Sequence, residues 1–312
     1  MTNRRNFLKQ ASLFTLGGLF AGKAGNALAA EPAVAESMAA KKRIGLQIYS
    51  LGGELYEGNV AANLKKLGKM GYTHLELAGF NEGKIGSVPM MDFKKMTEDA
   101  GMKITSTHQN PPVREYTSAN KQQIADFWKK TADYHAKLEV DYVVQPGLPS
   151  TRNVEEVKRV CEVFNEAGQI CKERGMRFGY HNHEMEFAKV VPGGADRKFG
   201  RHEKGEMIEE LFIKNTDPSL VMFELDVYWA VMGQQDPVEW LKKYSDRIRL
   251  LHIKDSQVLG QSGMMNFERI FQQAYSIGIK DFYVELEHYR GGSQYEGVKG
   301  CVDYLLKSSF VK

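Results

Sequence analysis

The chain has 312 residues, 42% hydrophobic and 26% charged, enough for one large core or two small ones. No apolar run reaches the ~18 residues of a membrane span. The formal charge is +3, but residues 1–30 hold Arg4, Arg5, Lys9 and Lys23 and no acid. The remainder therefore stands at −1, which argues against a protein that tracks a nucleic-acid backbone.

Residues 1–30 read as an export signal. Asn3-Arg4-Arg5-Asn6-Phe7-Leu8-Lys9 is a twin-arginine pattern, a short apolar region follows, and Ala27-Leu28-Ala29 supplies small residues for cleavage. The expected destination is the periplasm. Residues 31–42 are Ala-rich and polar, as in a linker, and residues 43–312 form the folded catalytic domain. In a shared helix, Cys161 and Cys171 would stand ~15 Å apart at a rise of ~1.5 Å per residue, beyond the ~7 Å that a disulfide spans. Buried thiols are expected, with no disulfide framework and no zinc-ligand spacing.

The first strand spans 43–49, and a helix with Val60, Leu64 and Leu67 on one face spans 59–70. A second strand at 72–77 leads through a Gly-rich loop to a helix over 89–100, which Gly101 ends. The third strand, 103–108, stops at Pro111-Pro112; a long helix covers 118–138. The fourth strand, 141–145, closes at Pro146-Gly147. Asn153-Val-Glu-Glu156 is a capping box that opens a helix to residue 174, with Gly175 as its stop. The fifth strand covers 176–183, and the longest irregular loop covers 190–205. A short helix over 206–214 leads to two apolar runs, 221–229 and 247–255, that hold the sixth and seventh strands. Between them Asp236-Pro237 caps a helix over 236–244. A helix over 266–277, an eighth strand over 281–287 and a helix over 293–307 complete the chain. Eight strands alternating with eight helices predict a (β/α)8 barrel in one domain. No Gly-x-Gly-x-x-Gly follows a strand, so no dinucleotide or phosphate loop is indicated.

Strand after strand ends in a residue that can bind metal or move a proton: Gln47, Glu76, His108, Gln145, His181 with His183, Glu224 with Asp226, His252 with Lys254 and Asp255, and Glu285 with Glu287. In a barrel these ends converge on one pocket. Alternation puts His181 with His183, Glu224 with Asp226, and Glu285 with Glu287 on common faces. Mixed imidazole and carboxylate ligands suit Mn²⁺, Zn²⁺, Co²⁺ or Mg²⁺. So dense a set of buried charges implies a cation or a ligand. His74, His135 and His202 fall outside the pattern and are expected at the surface; Tyr228-Trp229 is expected to pack rather than to bind.

With these motifs the chain resembles the xylose-isomerase-like (β/α)8 barrels, a family of sugar phosphate isomerases and epimerases. The resemblance rests on Ile44-Gly-Leu-Gln-Ile-Tyr-Ser50, Leu75-Glu76-Leu77, Tyr180-His-Asn-His183 with Glu186-Phe187, Phe223-Glu-Leu-Asp226, His252-Ile-Lys-Asp255 and Val284-Glu-Leu-Glu287. It implies a divalent metal held by Asp226, His252 and Glu285, with His181 at the fifth-strand position where the family carries Glu. It further implies proton abstraction beside a carbonyl that such an ion polarises. Glu285, Glu287, His108 and His183 are the expected proton-transfer groups, and Lys254 the partner of the developing oxyanion. Gln47, Glu76, His108, Gln145, Glu224 and Lys254 are the expected substrate contacts. A small carbohydrate is the implied partner, with neither nucleic acid nor membrane span, and a homo-oligomer is compatible. His181 in place of Glu weakens a symmetrical two-carboxylate epimerase and opens a lyase or hydratase acting on 3-keto-glycosides. A nuclease of the endonuclease-IV type would need a multi-metal site and a basic face, against which the near-neutral remainder and the export signal stand, and a non-catalytic sugar binder would need no stoichiometric ion.

Overall fold

Eight strands close into a parallel barrel: β1 (Gly45–Gln47), β2 (His74–Leu77), β3 (Lys103–His108), β4 (Tyr142–Gln145), β5 (Arg177–His181), β6 (Val221–Asp226), β7 (Ile248–Ile253) and β8 (Asp281–Val284). Each pairs with its neighbours in sequence, and β8 pairs with β1. A helix follows each strand: α1 (Val60–Met70), α2 (Met90–Asp99), α3 (Lys121–Leu138), α4 (Val154–Lys172), α5 (Ile208–Asn215), α6 (Pro237–Lys243), α7 (Phe267–Ser276) and α8 (Gln294–Lys307). The structure is a computed structural model, which describes residues 42–194 and 204–312. The export signal, residues 31–41 of the linker, the centre of the 190–205 loop and His202 lie outside the described residues.

The helix boundaries follow the signals in the sequence. Asn153 Oδ1 accepts a hydrogen bond from Glu156 N at 2.9 Å to start α4. Asp236 Oδ1 accepts from Val238 N at 2.8 Å to start α6, with Pro237 in its first turn. Gly175, at φ +78, takes the left-handed conformation that reverses the chain between α4 and β5. Leu, Val, Ile and Phe from the inner helix faces and outer strand faces form the main core. Cys161, Cys171 and Cys301 are free and buried in it.

The barrel interior is filled from below. Val144, Met222, Leu250 and Tyr283 form a separate packed cluster there. Gly45 admits the ring of His74, since a Cβ on it would come 2.5 Å from His74 Nε2. His74 and His135 are thus not surface groups: they are 2% and 0% exposed. His74 stands edge-on to Tyr283, with ring centroids 5.1 Å apart. His135 packs on Phe80 and bonds Thr131 O through Nδ1 at 2.7 Å. Burial pushes both imidazoles down to about 4, so each is neutral at pH 7.

The structure departs from sequence expectation mainly where strands become loops. A 3-10 helix, Ile48–Tyr56, follows β1. The Gly-rich loop after β2 forms a three-stranded antiparallel sheet, Phe80–Asn81, Lys84–Ile85 and Val88–Pro89. β5 ends at His181, and His183 begins a 3-10 turn, Glu184–Phe187. Val227–Met232 is a helix instead of a strand end, because Asp226 Oδ1 accepts from Trp229 N at 2.8 Å and caps it. Glu206-Met207 pairs with Lys189-Val190 before α5 begins. β8 ends at Val284, so Glu285 and Glu287 follow the strand.

Candidate metal and proton-transfer site

Strand pairing aligns the polar residues at the C-terminal end of the barrel. Gln47 lies beside Glu76, Glu224 beside His181, and Asp226 beside His252. The register shifts at Leu75/Glu76 against β3 and at Phe223/Glu224 against β7. Such irregularities re-aim side chains, and here they sit at the two deepest carboxylates.

Those two carboxylates share a set of imidazoles. Glu224 Oε2 lies 2.9 Å from His108 Nε2, 3.2 Å from His181 Nδ1 and 3.3 Å from His252 Nε2. Glu76 Oε2 lies 2.5 Å from His252 Nε2 and 3.1 Å from His108 Nε2. Ser106 Oγ donates to Glu76 Oε1 at 2.6 Å, and Gln47 Nε2 donates to Oε2 at 2.8 Å. One layer higher, His252 Nδ1 lies 3.0 Å from Glu285 Oε2, and Lys254 Nζ donates to the same oxygen at 3.2 Å. Lys254 also pairs with Glu287 and lies 4.8 Å from the centroid of the Trp229 ring.

Burial and mutual charge set the protonation pattern. Burial raises Asp226 to about 7 and is reinforced by Glu285. Burial, with Glu76 nearby, also raises Glu224. Burial opposes charge on Glu76 and Glu285, yet both are held low, the first by His108 and His252, the second by Lys254 and His252. His252 is raised despite burial because Glu224, Glu76 and Glu285 surround it. His181 and His183 are lowered, first by burial and then by neighbouring cations. Five carboxyl groups thus face Lys254 and four imidazoles, and burial sets them against one another.

Two groups of side chains bring ligand atoms within 4.8 Å of one another: His108, His181, Glu224 and His252; and His181, Asp226, His252 and Glu285. The second group contains all four ligands expected from the sequence. Its donor set suits a divalent ion, and Asp226 Oδ2 and Glu224 Oε1 are buried with no hydrogen-bond partner. A cation is the natural partner for such orphaned oxygens.

A cavity of about 360 Å³ opens above the cluster, lined among others by Tyr49, His108, Asn110, His181, His183, Glu285 and Glu287. Gln47, Glu76, Gln145 and Glu224 do not line it. Gln47 Oε1 accepts from Tyr49 N at 3.0 Å; Gln145 accepts from Tyr116 Oη at 3.1 Å and donates to Gly147 O at 2.9 Å. Hydrogen bonds hold these side chains beneath the cavity, and buried Lys254, also expected to meet the substrate, does not line it either. Asn182 was not anticipated. It holds Asp226 by the backbone, accepting from its N at 3.0 Å and donating to its O at 3.4 Å. It stands between His181 and His183, where alternation points it away from the pocket. Trp229 also joins the site, against Lys254 and His183, where packing alone was expected.

The profile of the xylose isomerase-like TIM barrel family matches residues 64–304. A crystal structure described as a sugar phosphate isomerase/epimerase from Parabacteroides distasonis is 52% identical, covers 87% of this chain and all of that one, and superposes with a TM-score of 0.82. A crystal structure of D-psicose 3-epimerase shares the fold at 14% identity and a TM-score of 0.64, over 86% of this chain and 99% of that one. Among curated proteins, inosose dehydratase of Geobacillus kaustophilus is 36% identical over 100 residues, 32% of this chain and 28% of that protein.

Proposed function

The chain belongs to the xylose isomerase-like TIM barrel family, and from that premise we propose that it is a metal-dependent enzyme that abstracts a proton beside the carbonyl of a keto sugar. The observation that carries this reading is Asp226: its Oδ2 is buried without a hydrogen-bond partner, and it offers a carboxylate oxygen within 4.8 Å of ligand atoms of His181, His252 and Glu285. These four residues would hold the ion. When bound, the ion supplies a Lewis acid that makes the neighbouring C–H acidic.

The chain's own residues do the rest. His183 lines the cavity and burial holds its imidazole below the usual range, so it is the ring set to take up the proton. Glu287 is a carboxylate on the same cavity wall, and returns or relays that proton. The electron pair of the broken C–H bond moves onto the carbonyl oxygen, where the Lys254 ammonium offsets the charge. Returning the proton to the former carbonyl carbon, while the hydroxyl proton passes between the two oxygens, gives isomerisation; returning it to the opposite face of the original carbon gives epimerisation.

A second outcome has its own support. His181 stands where the family's Glu stands, so two carboxylates do not flank the substrate carbon. The relatives described as inosose dehydratases point the same way. With a leaving group on the next carbon, the same electron pair expels it, and the enzyme is a lyase. The twin-arginine pattern supports action outside the cytoplasm.

Incubating metal-loaded protein with keto sugars in D₂O tests the common step. Deuterium should enter the carbon beside the carbonyl, and metal analysis should give stoichiometric ion in wild type and a loss in Asp226→Asn. Full metal content in that variant would refute the assignment.

A further inference from the structure

A second chamber, of about 500 Å³, adjoins the mouth cavity. It lies between the three-stranded sheet after β2 and helix α3, and the two cavities share Gly79, His108 and Asn110. Three aromatic side chains, half-buried Phe80, Phe127 and Tyr134, line it among polar neighbours such as Asn81, Gln109 and Thr131, with Phe80 and Tyr134 edge to face at 5.4 Å. The carboxylate at its rim, Glu82, is paired with Lys130 across the gap at 2.6 Å, tying the hairpin to the helix. The hairpin turn holds this geometry. Glu82 and Gly83 take positive φ of 46° and 85°, and a Cβ on Gly83 would lie 3.3 Å from Tyr134. The sheet therefore rests against α3 at its tip while a gap stays open beside the mouth.

We propose that this chamber receives a planar aromatic aglycone, so that the substrate is an oxidised aryl glycoside and not a free keto sugar. The proposal rests on the reading of the mouth as a keto-sugar site, and selects the lyase outcome from it. The mouth, at about 360 Å³, suffices for one sugar ring. A free monosaccharide would leave three aromatic walls uncovered. A flat ring between Phe127 and Tyr134 gains stacking contact, while the glycosidic bond passes His108 at the junction. The step balances without an oxidant. The proton beside the carbonyl goes to the base, its electron pair forms a C=C bond to the anomeric carbon, and the C–O bond to the aglycone breaks. The aglycone leaves as a phenol once its oxygen takes up a proton.

The test compares the 4-nitrophenyl and methyl glucosides, both oxidised to the ketone, on metal-loaded wild type, Phe127→Ala and Asn81→Trp. Asn81 is exposed on the hairpin, so a Trp there plugs the chamber without touching the core. In wild type the aryl glycoside should be preferred by about tenfold or more in kcat/KM. Each variant should reduce that ratio by about tenfold; leaving-group chemistry is common to all three proteins, so the change reads the chamber alone. An unchanged ratio in both variants overturns the proposal. If neither glycoside turns over, the lyase reading falls, and the same comparison is made by titration calorimetry. An aryl preference in affinity that both variants remove still assigns the chamber, and equal affinities overturn it.

Discussion

A crevice of about 510 Å³ lies at the N-terminal end of the strands, lined by Lys172, Arg177, Arg247 and Arg249, and it is larger than the mouth at the other end. Two of these four cations are tied mainly to backbone oxygens. Arg247 donates to Ile213 O, to Thr216 Oγ1 at 2.8 Å and to Val221 O at 3.4 Å, leaving its Nε without a partner. Arg249 donates to Ser245 O at 2.8 Å and Asp246 O at 2.6 Å. The mouth instead holds buried carboxylates with orphaned oxygens and imidazoles of divided protonation. Volume therefore ranks the ends one way and unsatisfied chemistry the other. Groups that fasten backbone stabilise a fold, whereas buried carboxylates and imidazoles gathered around unpartnered oxygens make a place for a cation.

The sharpest way to break this contrast is to exchange what each end loses. Asp226→Asn should cut kcat by about 10³-fold and remove bound metal, as read by kinetics and metal analysis, with Tm little changed. Arg247→Ala should do the reverse. Stability to urea should fall by about 3 kcal/mol, because three acceptors lose their donor, while metal content per folded protein stays at the wild-type level. A mutant at either end with the other end's signature would dissolve the distinction.

The barrel was legible in the sequence because its signals are local. Caps at Asn153 and Asp236, the stop at Gly175 and alternating strands need no knowledge of the fold. The convergence of His181, Asp226, His252 and Glu285 followed from topology once strands were counted. What stayed hidden was determined at longer range. His74 reads as an isolated polar residue, and only the closed barrel shows that Gly45 makes room for it. The split of the 221–229 run into strand and helix turns on the cap that Asp226 supplies. Nor did the sequence show that Gln47 and Gln145 bond Tyr49, Tyr116 and Gly147, partners that only the fold places beside them.

Acid should sharpen the comparison through a residue at neither end. His135 is held to about 4 in the fold, against 6.5 when unfolded. The neutral ring's contribution is full above pH 6.5 and is lost as pH falls from 6.5 towards 4, since the unfolded chain takes up the proton first. Lowering the pH to about 5 should therefore cost about 2 kcal/mol from this residue. His135→Phe should flatten that slope in denaturation curves taken across the range. The smallest effect expected is Ser106→Ala, which removes one donor from Glu76. It should cost about 1–2 kcal/mol in stability and lower kcat by a few-fold, detectable as a shift in the pH profile of the reaction.

The packed floor of Val144, Met222, Leu250 and Tyr283 has a kinetic corollary. It closes the barrel beneath the candidate site, so the cavity opens at the C-terminal rim. A product that occupies the same cavity as the reactant should raise the apparent KM and leave the maximal velocity alone.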